Sequence, residues 1–190
     1  MNRKIVLASA SPRRFALLSE LGLSFEALPA DIDENCITAD VPVLAGELAL
    51  AKAKAVLKLR PHAVVIGSDT IVIKDGQILG KPKDAKDAAR MLNLLSGSTH
   101  TVATGIAVVC GKKEVFDTVC TDVTFKPLDT AEIAKYIATG EPFDKAGGYG
   151  IQGRARALIS GISGDYYTVV GLPVCRLCQI LKENFGIEVL

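Results

Sequence analysis

Residues Ile5–Arg14 have the sequence IVLASASPRR, which joins a short apolar run to the start of a helix. The apolar residues 5–8 predict a buried strand. Ser11 followed by Pro12 is typical of a helix that begins with a serine N-cap and a proline in its first turn. The stretch therefore predicts a strand that passes through a turn of small residues into a helix.

The two arginines after this proline break a local rule of helix stability. The N-terminal end of a helix carries partial positive charge, so Arg13 and Arg14 in the first turn cost about 0.3–1 kcal/mol at exposed positions. Free helix N–H groups, the hydroxyls of Ser9 and Ser11 and two guanidinium groups in one place describe an anion site, most naturally one for phosphates. The alternative is a pair of exposed arginines that pair with Glu20 or another acid.

The composition is that of an ordinary globular protein. The chain has 190 residues, of which 49% are apolar and 23% charged, and this length suits a single domain, 1–190, of two lobes. The net charge is +1 without any block of like charge, which argues against a nucleic-acid partner. The apolar run behind the basic residues 1–4 is too short for a signal peptide, and no apolar stretch reaches membrane-spanning length. We therefore expect a cytoplasmic protein without a membrane partner; the sequence leaves open whether it forms a homodimer.

The cysteines predict reduced thiols. They are odd in number and scattered along the chain, as is usual in a cytosolic protein. Cys175 and Cys178 form a single C-x-x-C pattern, but a zinc site there would need a second pair or nearby histidines. We therefore expect no metal at that pair. The five cysteines are Cys36, Cys110, Cys120, Cys175 and Cys178.

Helical and strand patterns follow one another along the chain, separated by glycine, proline and helix-capping residues. Asp40, Asp84 and either Asp129 or Thr130 are predicted helix caps. Residues 74–77 predict a hairpin turn of the Asp-Gly type, and 163–165 another turn. The predicted helices cover 12–21, 41–59, 85–95, 131–139 and 172–184, and the predicted strands cover 5–8, 24–28, 63–73, 78–79, 99–109, 114–125 and 157–162.

Asp69 interrupts a β-branched apolar run that otherwise predicts a fully buried strand. A buried acid is costly unless cations, a metal or hydrogen bonds satisfy it. Ligands of open α/β sheets bind beyond the carboxyl ends of the strands, where Asp69 would lie if the strand paused at Gly67 and Ser68. The alternative is an Asx-type turn or a helix cap.

The acidic loop at residues 29–34, which ends at Glu34, contains three carboxylates. It is either a solvated surface or a set of oxygen ligands for a divalent cation. The alanine-rich body of the helix at 41–59 has strong helix propensity. From the residues alone, the lysines of that helix, Lys52 among them, are interpreted as its solvated face.

Two later stretches suit the binding of a nucleotide. Lys81, held between a glycine and a proline, has little freedom, which favours a positioned cation. Residues 141–153 contain four glycines within seven positions, together with Lys145 and Gln152. Glycine permits close backbone approach, and a glutamine amide offers both donors and an acceptor to the edge of a base.

Six motifs follow one another along nearly the whole chain: Leu7–Arg14, Ser68–Thr70, Gly80–Pro82, Ser96–His100, Asp144–Gly147 with Gly150–Gly153, and Val169–Pro173. Together they are far more specific than any one of them, and they resemble the Maf family of nucleoside triphosphate pyrophosphatases. The resemblance implies an α/β fold with a twisted mixed sheet flanked by helices and two lobes around a cleft, similar to inosine triphosphate pyrophosphatase and Ham1 proteins.

The resemblance also implies hydrolysis of a nucleoside triphosphate to the monophosphate and pyrophosphate, with Mg²⁺ or Mn²⁺ as cofactor. The family branch that acts on dTTP and UTP has an arginine, a threonine and a glutamine at three specificity positions, which Arg13, Thr70 and Gln152 match. By the same resemblance Asp69 is the proton acceptor, and Asp69 and Glu34 are metal ligands. The expected substrate-binding residues are Ser9, Ser11, Arg14, Lys52, Lys81 and Lys145.

Two other functions agree with parts of this pattern. A non-catalytic nucleotide sensor that regulates cell division or shape would use the same binding residues, but it would need neither Asp69 nor the acidic loop. A purine-directed enzyme of the inosine triphosphate type would share the fold, but not the combination of Arg13 and Gln152. The sequence therefore favours a pyrimidine-directed enzyme.

Overall fold

The structure, a computed structural model, describes residues 3–33, 40–41 and 43–190. Within them seven strands form one mixed sheet: β1 (Ile5–Ala8), β2 (Phe25–Ala27), β3 (Val64–Lys74), β4 (Gln77–Leu79), β5 (Thr99–Cys110), β6 (Lys113–Phe125) and β7 (Ile159–Ser163). The strand order is β2–β1–β3–β5–β6–β7, and β4 pairs with β3 outside this path. β1 is parallel to both β2 and β3, whereas β4 and β7 are antiparallel to their partners. The predicted mixed α/β fold is confirmed.

The described helices lie between these strands and after them. They are α1 (Pro12–Glu20), α2 (Val43–Leu59), α3 (Ala85–Leu95), α4 (Thr130–Ile137), α5 (Tyr166–Val170) and α6 (Val174–Phe185). Three short 3₁₀ helices, Glu141–Asp144, Ala146–Gly148 and Arg154–Ala157, occupy the glycine-rich region that the sequence left without regular structure.

Three of the predicted helix starts are found. Ser11 is the N-cap of α1 and Pro12 its first residue, and the N–H of Arg14 donates to Ser11 Oγ at 3.4 Å. Asp84 caps α3, and Asp129 forms a capping box with Glu132 at the start of α4. These side chains satisfy helix N–H groups that have no partner within the helix, so the caps fix where each helix begins.

The strand predicted over residues 63–73 is confirmed as β3, and it does not pause at Gly67 and Ser68. β3 continues without a break through Asp69 to Lys74. The fully buried Ser68 fits into the strand because its hydroxyl is hydrogen-bonded to the carbonyl of Gly105 at 2.9 Å. A satisfied polar side chain costs the sheet little, so no turn is needed.

The structure also contains a helix that the sequence pattern did not reveal, α5. Its first turn is capped by Asp165, whose carboxylate accepts hydrogen bonds from the N–H of Tyr167 at 3.2 Å and the N–H of Thr168 at 2.8 Å. The helix has only five residues, too few for an apolar period to appear in the sequence. The other predicted elements are confirmed, with small shifts at their ends.

The chain forms two compact units. The first contains the described residues within 1–69 together with 104–119 and 171–190, and the second contains 70–103 and 120–170. In the first unit a cluster of small apolar side chains from β1, α2 and β3, such as Val6, Ala53 and Val65, forms part of the core. In the second unit a larger cluster that includes Leu92 and Phe125 forms the core.

Helix α2 packs unusually close to the sheet of the first unit. A Cβ atom on Gly67 of β3 would lie 2.2 Å from the carbonyl oxygen of Ala49, and one on Gly105 of β5 would lie 1.9 Å from the carbonyl oxygen of Ala45. Only glycine leaves room for a helix backbone at this distance. The approach fixes the height of α2 above β3, and with it the position of Lys52.

Among the described residues, no helix has both the length and the apolar character that crossing a membrane requires. Cys110, Cys120, Cys175 and Cys178 are free thiols, and Cys36 lies outside the described residues.

Candidate functional site

The turn between β1 and α1 is organised by two serine hydroxyls. Ser9 Oγ accepts hydrogen bonds from the N–H of Ser11 at 3.1 Å and from Arg14 Nη1 at 3.3 Å. Arg14 Nε donates to the carbonyl of Gly171 at 2.7 Å. Arg13 and Arg14 are both half-buried. The turn therefore places hydroxyl, N–H and guanidinium groups at the start of a helix, and its role as an anion site stays a prediction.

The same carbonyl of Gly171 lies 2.9 Å from Ser68 Oγ, which shares its single proton between this carbonyl and that of Gly105. Ser68 precedes Asp69 on β3, so one carbonyl joins the arginine of the turn to the strand that carries the acid. In the parallel pairing of β1 with β3, Ala8 lies opposite Gly67. Ser9 and Asp69 therefore both follow the level at which β1 ends, the edge of an open α/β sheet where ligands usually bind.

Asp69 is satisfied by a cation from α2. Lys52 Nζ donates a hydrogen bond to Asp69 Oδ1, and the two side chains are only 15% and 14% exposed. Lys52 is thus not part of a solvated face, which corrects the interpretation from the residues alone. The acid that the strand pattern marked as costly is compensated by an ion pair in a setting where charge interactions are stronger than in bulk water.

The expected metal site is described only in part. Glu34 lies outside the described residues. Among those that are described, no group of three or more histidine, cysteine, aspartate or glutamate side chains is placed to hold a metal ion. Asp69 presents one carboxylate oxygen to Lys52, and no described residue donates a hydrogen bond to the other oxygen. That oxygen suits Mg²⁺, which proteins often hold with one or two carboxylates while the substrate phosphates supply further ligands.

Four expected site residues belong to the second unit. Thr70 is half-buried on β3, directly after Asp69. Lys81 and Gln152 have exposed side chains. Lys145 Nζ forms an ion pair with Asp144 at 2.5 Å and donates to the carbonyl of Glu141 at 2.9 Å, so this ammonium group is engaged within its own loop.

A buried aromatic group in the second unit anchors the glycine-rich segment. His100 Nε2 and the hydroxyl of Tyr149 are 2.6 Å apart, and both rings pack edge-on against Phe125. Burial, assisted by the charge of Lys74, lowers the pKa of His100 to about 4. Burial likewise raises the pKa of the Tyr149 hydroxyl. The pair is therefore neutral near pH 7, and it ties β5 to the loop that carries Gln152.

Sequence reasoning assigned no role to several residues that organise these sites. Ser68 and His100 lie in two of the family motifs. Each is a polar side chain in an apolar strand pattern, and that contrast could have indicated a role. Glu141 and Arg156 gave no such signal, because an acid in a loop and an arginine in a short helix are ordinary surface residues.

Comparison with known proteins identifies related chains. A family model described as Maf-like protein matches residues 4–184. A dTTP/UTP pyrophosphatase of Symbiobacterium thermophilum is 51% identical, and the match covers 97% of this chain and 95% of the relative. A dTTP/UTP pyrophosphatase of Alkaliphilus oremlandii is also 51% identical, over 99% of this chain and 100% of the relative.

Solved structures match over part of the chain. A nucleoside-triphosphatase (dITP/XTP pyrophosphatase) from Mycobacterium abscessus is 20% identical with a TM-score of 0.46, covering 66% of this chain and 75% of its own. The Staphylococcus aureus Ham1 protein is 14% identical with a TM-score of 0.48, covering 65% of this chain and 72% of its own.

Proposed function

Because the chain belongs to the Maf family, we propose that it hydrolyses dTTP and UTP to the nucleoside monophosphate and pyrophosphate. Relatives at 51% identity over nearly the full length carry the name dTTP/UTP pyrophosphatase, which supports this substrate class. The structural observation that carries the proposal is the half-buried ion pair of Lys52 and Asp69. It lies in the same unit as the turn between β1 and α1.

The donors of the first unit suit the binding of a triphosphate. When the bond from the α-phosphorus to the bridging oxygen breaks, negative charge develops on the departing pyrophosphate, and fixed cations and N–H groups stabilise that charge. We assign this role to Arg13, Arg14 and Lys52, with Ser9 and Ser11 contributing hydrogen bonds. The contacts of Arg14 with Ser9 and Gly171 hold its guanidinium group before substrate arrives, so little reorganisation is required.

We assign to Asp69 the task of orienting and deprotonating the attacking water. Its position on a continuous strand, with Ser68 hydrogen-bonded to two carbonyls, gives the carboxylate a rigid base. Lys52 holds one carboxylate oxygen and leaves the other for water or for a cation. A bound Mg²⁺ or Mn²⁺ would supply Lewis acidity at the phosphates, and Asp69 and Glu34 are the residues that we expect to hold it.

We assign the selectivity for pyrimidine bases to Arg13, Thr70 and Gln152. The amide of Gln152 is exposed on the glycine-rich segment, where it can pair with the polar edge of uracil or thymine. A site built to hydrogen-bond one base discriminates against another because its polar groups are left without partners. We also assign Lys81 to the phosphates, whereas Lys145 could contribute only its charge while its ammonium group stays bound to Asp144 and Glu141.

Product analysis tests the proposal. The purified chain is incubated with dTTP, UTP, ATP, GTP and ITP in the presence of Mg²⁺ or Mn²⁺, and pyrophosphate and orthophosphate are measured separately. We expect pyrophosphate and monophosphate from dTTP and UTP, and little product from the purines. Pyrophosphate mainly from purines would refute the specificity assignment, and tight binding of UTP without turnover would refute the enzymatic function in favour of a nucleotide sensor.

A further inference from the structure

The backbone on one side of Gln152 is held by a carboxylate. Both oxygens of Glu141 accept a hydrogen bond from the N–H of Arg154, at 3.1 and 2.9 Å. A Cβ atom on Gly153 would lie 2.2 Å from Glu141 Oε2, so the carboxylate rests directly against the chain at this glycine. A side chain at position 153 would therefore displace this carboxylate from its place, although the φ of −87° is open to any residue.

The backbone carbonyls of the same segment are held by a guanidinium group. Arg156 Nε donates to the carbonyl of Gly153 at 2.9 Å, and Arg156 Nη2 donates to the carbonyl of Gln152. A guanidinium group is planar and presents its donors in a fixed fork, so two bonds to adjacent carbonyls define the orientation of the peptide planes between them. Arg154, the neighbouring arginine, contributes its backbone N–H to the carboxylate of Glu141 and no side-chain bond to these carbonyls.

The backbone of Glu141 is itself held by two hydrogen bonds. Its N–H donates to Thr139 Oγ1 at 3.1 Å, and its carbonyl accepts from Lys145 Nζ at 2.9 Å. The stem of Lys145 passes against Gly150, where a Cβ atom would lie 2.7 Å from the lysine methylene carbons. The carboxylate therefore belongs to a chain of contacts that runs back through the loop.

We propose that Glu141 and Arg156 are positioning residues that fix the backbone of Gln152 and thereby set the selectivity for pyrimidine nucleotides. Gln152 has an exposed side chain, and its own carbonyl and the two residues that follow it are held by Arg156 and Glu141. A glutamine amide distinguishes one base edge from another only when its donor and acceptor are held in register, because a mobile amide adapts to either. A segment that is already ordered before the nucleotide binds also loses less conformational entropy on binding. This inference rests on the proposed function of the chain.

Kinetics on UTP and GTP with paired variants test the inference. Arg156→Ala removes the fork, and Arg154→Ala, the matched control, removes the same charge from the same short helix without touching these carbonyls. We expect Arg156→Ala and Glu141→Gln to raise KM for UTP and to lower the UTP-to-GTP ratio of kcat/KM by about 3- to 10-fold, as expected for the loss of one hydrogen bond. Arg154→Ala should leave the ratio unchanged, and Arg156→Lys should restore part of it.

A double-mutant comparison separates positioning from a general loss of structure. In a Gln152→Ala background the ratio has already fallen, so adding Arg156→Ala should lower it no further. Amide hydrogen exchange should show faster exchange at residues 152–154 in Arg156→Ala and not in Arg154→Ala. An unchanged ratio in Arg156→Ala with normal hydrolysis of UTP, or an additive effect with Gln152→Ala, would overturn the inference and leave the proposed function standing. Absence of UTP and dTTP hydrolysis in the wild-type chain would refute the proposed function and this inference with it.

Discussion

Replacing Gly67 by alanine should disturb both the stability and the chemistry of the first unit. The added Cβ atom would lie 2.2 Å from the carbonyl oxygen of Ala49 and 3.0 Å from Ala53 Cβ, so the methyl group meets the backbone of α2. Helix α2 would have to retreat by about 1.2 Å to reach the 3.4 Å of an ordinary van der Waals contact. Backbone cannot swing aside as a flexible side chain does, so the whole helix must move.

The expected magnitudes follow from that displacement. Overpacking of a close-packed core typically costs about 1–3 kcal/mol, and about 2 kcal/mol in a chain of this length lowers the midpoint of thermal unfolding by about 4–8 °C. Lys52 lies on the same helix three residues after Ala49, so its ammonium group moves relative to Asp69 on β3. Since a misplacement of about 1 Å in a catalytic group can cost about 100-fold, we expect kcat for UTP to fall by about 10- to 100-fold.

Thermal unfolding and UTP turnover of Gly67→Ala measure both effects. Gly161→Ala is the matched control: Gly161 also lies in a strand, but nothing is found within 4 Å of the Cβ position, and we expect it to behave as the wild type. A Gly67→Ala variant with wild-type stability and wild-type kcat would show that α2 does not lie against β3 as described.

Three further perturbations give independent tests. Burial lowers the pKa of His100 from 6.5 to about 4, so between these values the unfolded chain binds a proton that the folded chain does not. The free energy of unfolding should therefore fall by up to about 3 kcal/mol as the pH drops from 6.5 to 4, and urea unfolding should show a smaller fall in His100→Gln; equal slopes would contradict the assignment. Arg14→Lys keeps the charge but loses the hydrogen bond to the carbonyl of Gly171. We therefore expect the free energy of unfolding to fall by about 1 kcal/mol and KM for UTP to rise. If neither quantity changed, the role given to this bond would be wrong. Removal of divalent cations with a chelator should abolish UTP hydrolysis, Mg²⁺ or Mn²⁺ should restore it, and undiminished turnover in chelator would exclude a metal-dependent reaction.

The elements that the sequence predicted well are those with strong local signals. Ser11–Pro12, Asp84 and Asp129 marked helix starts because caps act through neighbouring N–H groups, and the structure confirms all three. The β-branched run likewise predicted β3, but the partners of the buried Ser68 were not predictable in this way. The bonds that satisfy Ser68 come from Gly105 and Gly171, which are distant in the sequence and invisible to a local pattern.

The residues of the candidate site also divide into those that a local sequence pattern marked and those that it did not. Arg14 and Asp69 stood out because each violated a local expectation: Arg14 is an unfavourable charge at a helix start, and Asp69 is an acid in an apolar strand. Lys52 had no such mark, and from the residues alone it belonged to a solvated face. Only the close approach of α2 to Gly67 shows why this lysine is half-buried against an aspartate.

The central claim is that Asp69, paired with Lys52, carries the hydrolysis of UTP. The direct measurement compares wild type and Asp69→Asn in the same assay, with pyrophosphate release and UTP binding followed separately. Asparagine keeps the size of the side chain but cannot accept a proton from water, so we predict that kcat falls by at least about 100-fold while the chain stays folded and still binds UTP. Near-wild-type pyrophosphate release by the folded Asp69→Asn variant would contradict the account.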